Sequence, residues 1–248
     1  MRVLALDAAT ELCSVALLSN GECLVRSIES GKSSAQQLLH MIEEVMAEAQ
    51  VGLTQLDGIA ASIGPGAFTG VRISVAVAQG LAFGADLKVA PVTTLCALAL
   101  QASPMVRTHG EVRIIACLDA RMGELYWGCF SAAAMPGVAT PGVATRGLAT
   151  RGVVQSGELG VAAPDVIASR LRGHYVGIGR GFSVYPQLAQ IPGVEVGPAH
   201  ARALPNAREI AWAGASRLAV GEGVDPADLK PLYLRDKVAL TEIERARQ

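Results

Sequence analysis

The sequence predicts an α/β protein made of two related halves, and three observations support this prediction. Hydrophobic residues make up 51% and charged residues 17% of the 248 residues, a composition that excludes a disordered chain. Short apolar runs alternate with stretches of helical periodicity. Residues 3–8 (VLALDA) resemble residues 115–120 (IACLDA), and both are apolar strands that end in Asp-Ala. We therefore divide the chain into halves at 1–108 and 109–248.

The first half reads as three strands, a helix, a strand and a helix. Its first strands are 3–7, 13–19 and 22–28, and Asn20-Gly21 between the last two is a strong hairpin signal. A helix begins at Ser33 or Ser34, each with a glutamine three residues later. We expect the remaining elements to be a helix over 34–49, a strand over 58–63, a helix over about 70–84, a strand over 88–90 and a helix ending at Ala102.

The second half repeats the opening with strands over 115–120 and 124–131. Residues 132–154 contain the repeat Pro-Gly-Val-Ala-Thr, and we expect an irregular insertion because glycine in each unit disfavours a helix. A helix over 164–171 and a strand over 175–178 follow. A long helix over 205–220 begins at Pro205 and ends at Gly221. The tail from residue 229 is expected to pack back on the first half.

Charge and composition exclude several classes of site. There are 21 basic and 22 acidic residues, so the chain alone lacks the basic excess needed for many phosphate contacts. The five cysteines form no CxxC, and the four histidines form no HExxH or HxxxH, which excludes a metal site built on local spacing. We see neither a signal peptide nor a 20-residue apolar span, so we expect a soluble, cytoplasmic protein without a membrane partner.

Two segments have the composition of phosphate-binding loops. A strand ending in Asp-Ala-Ala-Thr precedes the string GPGAFTGVR, which leads from a strand into a helix. Free N–H groups at a helix start bind anions, and an aspartate helps to hold magnesium. In the alternative interpretation Asp7 and Thr69 only cap backbone ends and the glycines form a tight turn. The candidate residues are Asp7, Thr10, Gly64, Gly66, Thr69, Arg72 and Asp119.

The helix over 70–84 is apolar nearly all round. Small residues recur at every fourth position in Ala76, Gly80 and Gly84. Such a helix is buried on more than one side. Either its own domain covers it, or a partner chain does. The low charged fraction favours the partner.

Four motifs resemble those of one family: DAAT at 7–10, GPGAFTGVR at 64–72, DARMGE at 119–124 and PLYLR at 231–235. On these the chain is identified as similar to the TsaB (YeaZ) family of the actin-like ATPase (ASKHA) superfamily. The resemblance implies two ribonuclease-H-like halves, each with a mixed sheet flanked by helices. It also implies a non-catalytic subunit that pairs with the catalytic subunit TsaD and the ATPase TsaE. Together they transfer threonylcarbamoyl to the adenosine beside the anticodon of ANN-decoding tRNAs.

The resemblance further places a partner interface on the helices over 34–49 and 70–84, which also form a homodimer when the chain is alone. It implies no cofactor for this chain, ATP or ADP with magnesium in the assembled complex, and tRNA contact through that complex. Three alternatives stay open: a phosphotransferase that uses Asp7 and Asp119, a glycoprotease-like peptidase, and a homodimer with a binding role of its own. The expected interface residues are Gln36, Leu39, Met41, Ile73, Ala76, Val77, Gly80, Leu81 and Gly84.

Overall fold

The computed structural model describes residues 1–29, 35–102, 112–133 and 152–235, and a five-stranded sheet forms its first half. The strands are β1 (Arg2–Asp7), β2 (Leu12–Ser19), β3 (Glu22–Glu29), β4 (Gly58–Ser62) and β5 (Val89–Val92). Their order is β3-β2-β1-β4-β5. β1 pairs antiparallel with β2 and parallel with β4, so the sheet is mixed. The predicted hairpin turn is confirmed, with positive φ at Asn20 and Gly21.

A second five-stranded sheet repeats this topology. Its strands are β6 (Val112–Arg121), β7 (Glu124–Ala133), β8 (Gly152–Ala162), β9 (Tyr175–Ile178) and β10 (Val194–Glu195). The order is β10-β9-β6-β7-β8. β6 takes the place of β1, antiparallel to β7 and parallel to β9. The two related halves predicted from the short sequence match are confirmed by this repeated strand order.

Helices cover both sheets and cross between the halves. The helices are α1 (Ala35–Ala49), α2 (Phe68–Ala85), α3 (Thr94–Ala102), α4 (Pro164–Arg170), α5 (Gly181–Val184) and α6 (Ala207–Ala219). α1 and α2 pack on one face of the first sheet, and α6 packs on the other. α3 packs on the second sheet, with Leu95 and Leu98 against Ile114. Each half thus contributes a helix to the sheet of the other.

Residues 224–235, here called the tail segment, join the two halves. Val224 pairs with Val89, and the Leu232 N–H donates to the Ile63 carbonyl at 2.7 Å. The Gln79 side chain donates to the Leu229 carbonyl. At the other end Arg235 donates to Glu124 at 2.5 Å. The segment is therefore anchored on α2 and on the β6–β7 turn.

Several element boundaries in the structure differ from the predicted ones. Residues 132–133 and 152–154, expected to belong to the irregular insertion, are parts of β7 and β8. The rest of the expected insertion, residues 134–151, lies outside the described part of the chain. The sequence does not predict β8, because its exposed, glycine-containing stretch shows no apolar alternation. Pro205 does not start α6, since Asn206 caps it by accepting from the Arg208 N–H. The Ser33 or Ser34 helix start and the boundary at 108 and 109 also lie outside the described residues.

α2 is unusually apolar for a surface helix. Among the described residues, α2 is the one helix that is long and apolar enough, with a mean hydropathy of 1.3, to cross a membrane by length and composition alone. About a third of it is buried inside the protein. Its buried side packs on the first sheet. The opposite side of α2, which is mostly apolar, is therefore uncovered on the outside of the first half.

Candidate functional site

The solvent-facing sides of α2 and of the first part of α1 form a largely apolar surface, here called the docking face. Phe83 is 82% exposed and Leu39 is 43% exposed. Gly80 and Gly84 have open space where a Cβ would stand. Exposed apolar surface with glycines along a helix allows close approach of a second helix. The docking face comprises Gln36, Leu39, Ile73, Ala76, Val77, Gly80, Leu81, Phe83 and Gly84.

The predicted interface residues differ in their exposure to solvent. Gln36, Ala76, Gly80 and Gly84 are exposed, and Ile73, Val77 and Leu81 are half-buried. The assignment of Met41 to the interface is wrong: it is 7% exposed and packs in the core of the first half. It lies three residues after Leu38 and four before Val45, so it belongs to the buried stripe of α1. Phe83 is missing from the prediction, although it continues the row from Ala76 and Gly80 at helical spacing.

The glycine loop, residues 64–70, packs against the turn that follows β1. A Cβ on Gly70 would stand 1.9 Å from the Ala8 carbonyl oxygen, and one on Gly66 would stand 2.2 Å from that of Ala9. The Ala67 N–H donates to the Ala9 oxygen at 2.7 Å. Side chains at these two positions would overlap with backbone atoms. The glycines are therefore required for contact between two backbone segments, which supports the structural interpretation of the loop.

Asp7 lies at the end of β1 and is fully buried. Its Oδ1 accepts from the Ser62 hydroxyl at 2.5 Å and from the Ala9 N–H at 3.0 Å. Within the described residues its Oδ2 has no hydrogen-bond partner. Burial raises the pKa of the Asp7 carboxyl from 3.8 to about 6, against the opposing effect of the Ser62 and Ala9 hydrogen bonds. The carboxylate thus links β1 to β4 and does not reach solvent.

This burial predicts a pH-dependent effect of Asp7→Asn. Because the folded-state pKa lies above the unfolded value, the wild type loses stability as pH rises from about 4 to 6, and the loss persists above pH 6. The asparagine variant lacks this loss. The difference in unfolding free energy, variant minus wild type, should rise by up to about 3 kcal/mol between pH 4 and pH 8, measured by urea denaturation. The exposed Asp228→Asn serves as the control, and an equal pH dependence of both variants would contradict the assignment.

A cleft of about 780 Å³ lies between the two halves. Of the predicted phosphate-binding residues, Thr10, Gly66, Thr69 and Asp119 line it, whereas Asp7, Gly64 and Arg72 do not. Three arginines line the cleft, and each lies within salt-bridge distance of a carboxylate. Arg121 pairs with Asp119 at 3.1 Å and lies 3.7 Å from Glu11 across the cleft. Arg180 pairs with Glu29 of the other half at 3.3 Å, and Arg235 pairs with Glu124.

The structure contradicts the capping role of Thr69 and places Arg72 outside the lining of the cleft. Helix α2 begins at Phe68 and its N-cap is Ala67, so Thr69 is inside the first turn and does not cap the helix. Because α2 begins two residues before the expected start at about 70, Arg72 lies in its second turn. It is four residues after Phe68 and therefore lies beside that side chain. Its guanidinium carbon is 3.7 Å from the centre of the Phe68 ring, and its Nε donates to the Tyr233 hydroxyl at 2.8 Å.

The residues around the cleft do not fit a magnesium-nucleotide site of the kind that the superfamily implies. The aspartate expected to help hold the ion is buried and outside the cleft lining. The loop glycines contact backbone rather than leaving a cradle. The cleft arginines lie close to carboxylates that already compensate their charge.

Comparison with known proteins gives consistent results. A family model described as "TsaD: tRNA N6-adenosine threonylcarbamoyltransferase" matches residues 28–242. The tRNA threonylcarbamoyladenosine biosynthesis protein TsaB of Escherichia coli is 32% identical over 244 residues, 96% of each chain. The protein of the same name from Haemophilus influenzae is 32% identical over 96% of this chain and 95% of its own. A solved structure, "YeaZ from Pseudomonas aeruginosa", is 34% identical with a TM-score of 0.78 and covers 94% of this chain and 99% of that one.

A second solved structure from Pseudomonas aeruginosa is described as "an uncharacterized protein with similarity to peptidase YEAZ". It is 35% identical, has the same TM-score of 0.78, and covers 94% of this chain and 99% of that one. Together with the two mixed sheets flanked by helices, these likenesses establish an α/β fold of the actin-like ATPase type.

Proposed function

Because the chain belongs to the TsaB (YeaZ) family of tRNA threonylcarbamoyladenosine biosynthesis proteins, we propose that it is a non-catalytic subunit of the complex that makes this modification. Its docking face binds TsaD, and TsaE joins the assembled pair. The complex transfers threonylcarbamoyl to N6 of the adenosine 3′ to the anticodon in ANN-decoding tRNAs. Bound in this way, the chain orders the active site of TsaD and performs no bond-making itself.

The observation that carries this proposal is the docking face. Phe83 is 82% exposed beside two glycines whose Cβ positions are open. Exposed apolar surface of this kind marks a protein interface more often than it persists in a monomer. The match of residues 28–242 to the TsaD family model adds support. It indicates that this chain and TsaD have related folds, and two related chains can pair through equivalent helices. When the chain is alone, the same face forms a homodimer.

The proposal assigns no cofactor to this chain. ATP or ADP with magnesium belongs to the assembled complex, and tRNA is contacted through that complex. The chain works in the cytoplasm, where the complex meets its tRNA substrate. Buried Asp7 and the backbone contacts of the glycine loop support a structural role for the region that would otherwise bind phosphate.

Reconstitution tests the proposal directly. The purified chain is mixed with TsaD and TsaE of the same organism, tRNA, ATP and the threonylcarbamoyl donor, and modified tRNA is measured by mass spectrometry of nucleosides. We expect product from the full mixture, and no product when this chain is omitted or acts alone. Product formed at the same rate without this chain would contradict the proposed activating role.

The alternative hypothesis is that the chain is itself an enzyme, either a phosphotransferase or a peptidase. Its specific support is the match to a transferase model and the likeness to a structure described as similar to a peptidase. Calorimetric titration with Mg-ATP and casein digestion by the isolated chain separate the interpretations. We expect neither nucleotide binding nor proteolysis. Tight ATP binding that is lost in Asp7→Ala would favour a phosphotransferase.

A further inference from the structure

Arg72 is the charged side chain of a groove whose other lining residues are apolar except for Thr69. The groove has a volume of about 320 Å³ and lies between the N-terminal ends of α1 and α2. Besides Arg72, it is lined by Ala35 of α1 and by Phe68, Thr69, Ile73, Ala76 and Val77 of α2. Ile73, Ala76 and Val77 also belong to the docking face. The groove is therefore continuous with the surface that we propose to bind TsaD, and Arg72 is part of its wall.

The guanidinium of Arg72 is held in one orientation. The Phe68 ring lies below it at 3.7 Å, and the Tyr233 ring is 5.9 Å from its central carbon. The Tyr233 hydroxyl accepts from its Nε at 2.8 Å. Stacking and this hydrogen bond restrict the long side chain before any ligand arrives. A cation that is already oriented loses less conformational entropy when it binds.

Arg72 also differs from the cleft arginines in its electrostatic surroundings. Arg121, Arg180 and Arg235 each lie within 4 Å of a carboxylate. Among residues 1–29, 35–102, 112–133 and 152–235, no carboxylate lies within that distance of Arg72. Nε is used by Tyr233, and the two terminal nitrogens offer the parallel donors that carboxylates accept in bidentate pairs. The apolar groove walls would exclude water from such a pair once a partner covers them.

We infer that Arg72 binds a carboxylate that TsaD presents beside an apolar side chain seated in the groove. The oriented Arg72 guanidinium, without a carboxylate nearby in the described residues, and the continuity of the groove with the docking face carry this assignment, which rests on the proposed function. The occupant is an acidic residue of a protein partner, because apolar side chains form most of the surrounding wall. Arg72 is thus a specificity-determining residue at the edge of the interface, whereas the glycines of α2 set how closely the helices approach.

The test measures binding of the full-length chain to TsaD of the same organism by calorimetry, at low and high salt. Arg72→Met should raise Kd by about tenfold or more and should weaken the salt dependence of binding. Arg72→Lys keeps the charge without the planar fork, so it should recover part of the affinity. Tyr233→Phe keeps the tail segment packed but removes the orienting hydroxyl, and it should raise Kd by no more than about threefold.

Two outcomes would overturn the inference. In the first, Arg72→Met binds with wild-type affinity and salt dependence. In the second, its loss is matched by Tyr233→Phe with the salt dependence unchanged, which indicates that Arg72 only holds the tail segment.

Gly80→Arg separates this inference from the proposed function. If Gly80→Arg blocks binding and Arg72→Met does not, the result supports the docking face as the TsaD interface and contradicts the carboxylate site at Arg72. If neither variant affects binding, the result contradicts both the docking face as the TsaD interface and the carboxylate site at Arg72.

Discussion

Replacing Gly80 by arginine abolishes binding to TsaD and formation of modified tRNA, while the chain still folds. Gly80 is exposed, and a Cβ there meets no atom within 4 Å, so the free chain accommodates a long side chain. In the complex the same side chain would be forced between two helices and its charge would be buried without a partner. Such burial costs at least about 3 kcal/mol, which corresponds to a Kd about 100-fold higher or more. Calorimetry and the reconstituted tRNA assay measure the two effects.

A matched control places the same charge on an exposed apolar residue elsewhere. Val220, at the end of α6, is 72% exposed and lies outside the docking face. Val220→Arg should bind TsaD like the wild type. Circular dichroism melting of both variants confirms that they fold. Equal affinities of Gly80→Arg and Val220→Arg for TsaD would show that the interface is elsewhere.

Gly70→Ala destabilises the protein severely, although glycine-to-alanine changes usually stabilise a helix. The added Cβ would stand 1.9 Å from the Ala8 carbonyl oxygen, so α2 must move away from the turn after β1. Displacing one backbone segment from another in a buried region should cost about 3 kcal/mol or more. Urea denaturation of the purified variant, or its absence from the soluble fraction, measures this effect.

The comparison variant is Gly84→Ala on the same helix. Gly84 lies near the other end of α2, on the docking face, in open space. Alanine there should stabilise the chain by up to about 1 kcal/mol, because glycine has the lower helix propensity. The opposite signs at the two positions follow from the two packing environments. If Gly70→Ala were as stable as the wild type, the glycine loop would be free to change shape and the phosphate-binding interpretation would regain support.

Local sequence signals are sufficient for most elements of the first half. The Asn20-Gly21 turn, the apolar strands and the spacing of Leu38, Ile42 and Val45 depend on neighbours along the chain, and the structure confirms them. The exchange of α3 and α6 between the sheets cannot be predicted this way. It depends on which of two similar apolar sheets each helix packs against, and helical periodicity carries no information about that choice.

The site residues show the same limit. A strand-ending aspartate followed by a threonine is compatible with both phosphate binding and structural capping. Ser62 on β4, 55 residues away, decides between them because it holds Asp7 in the interior. The orientation of Arg72 depends on the start of α2 at Phe68 and on Tyr233 of the tail segment. Because α2 begins two residues before the expected start, Arg72 lies in its second turn, beside Phe68 and outside the lining of the cleft.

Hydroxyl-radical footprinting of the chain, alone and with TsaD, tests the central claim most directly. The free chain is diluted until sizing shows a monomer, and the oxidation rate of each exposed side chain is measured by mass spectrometry. We predict protection of Leu39 and Phe83 on addition of TsaD, and no change at Met122, which is 71% exposed in the second half. Unchanged oxidation of Leu39 and Phe83 in a chain shown to be bound to TsaD would contradict the claim.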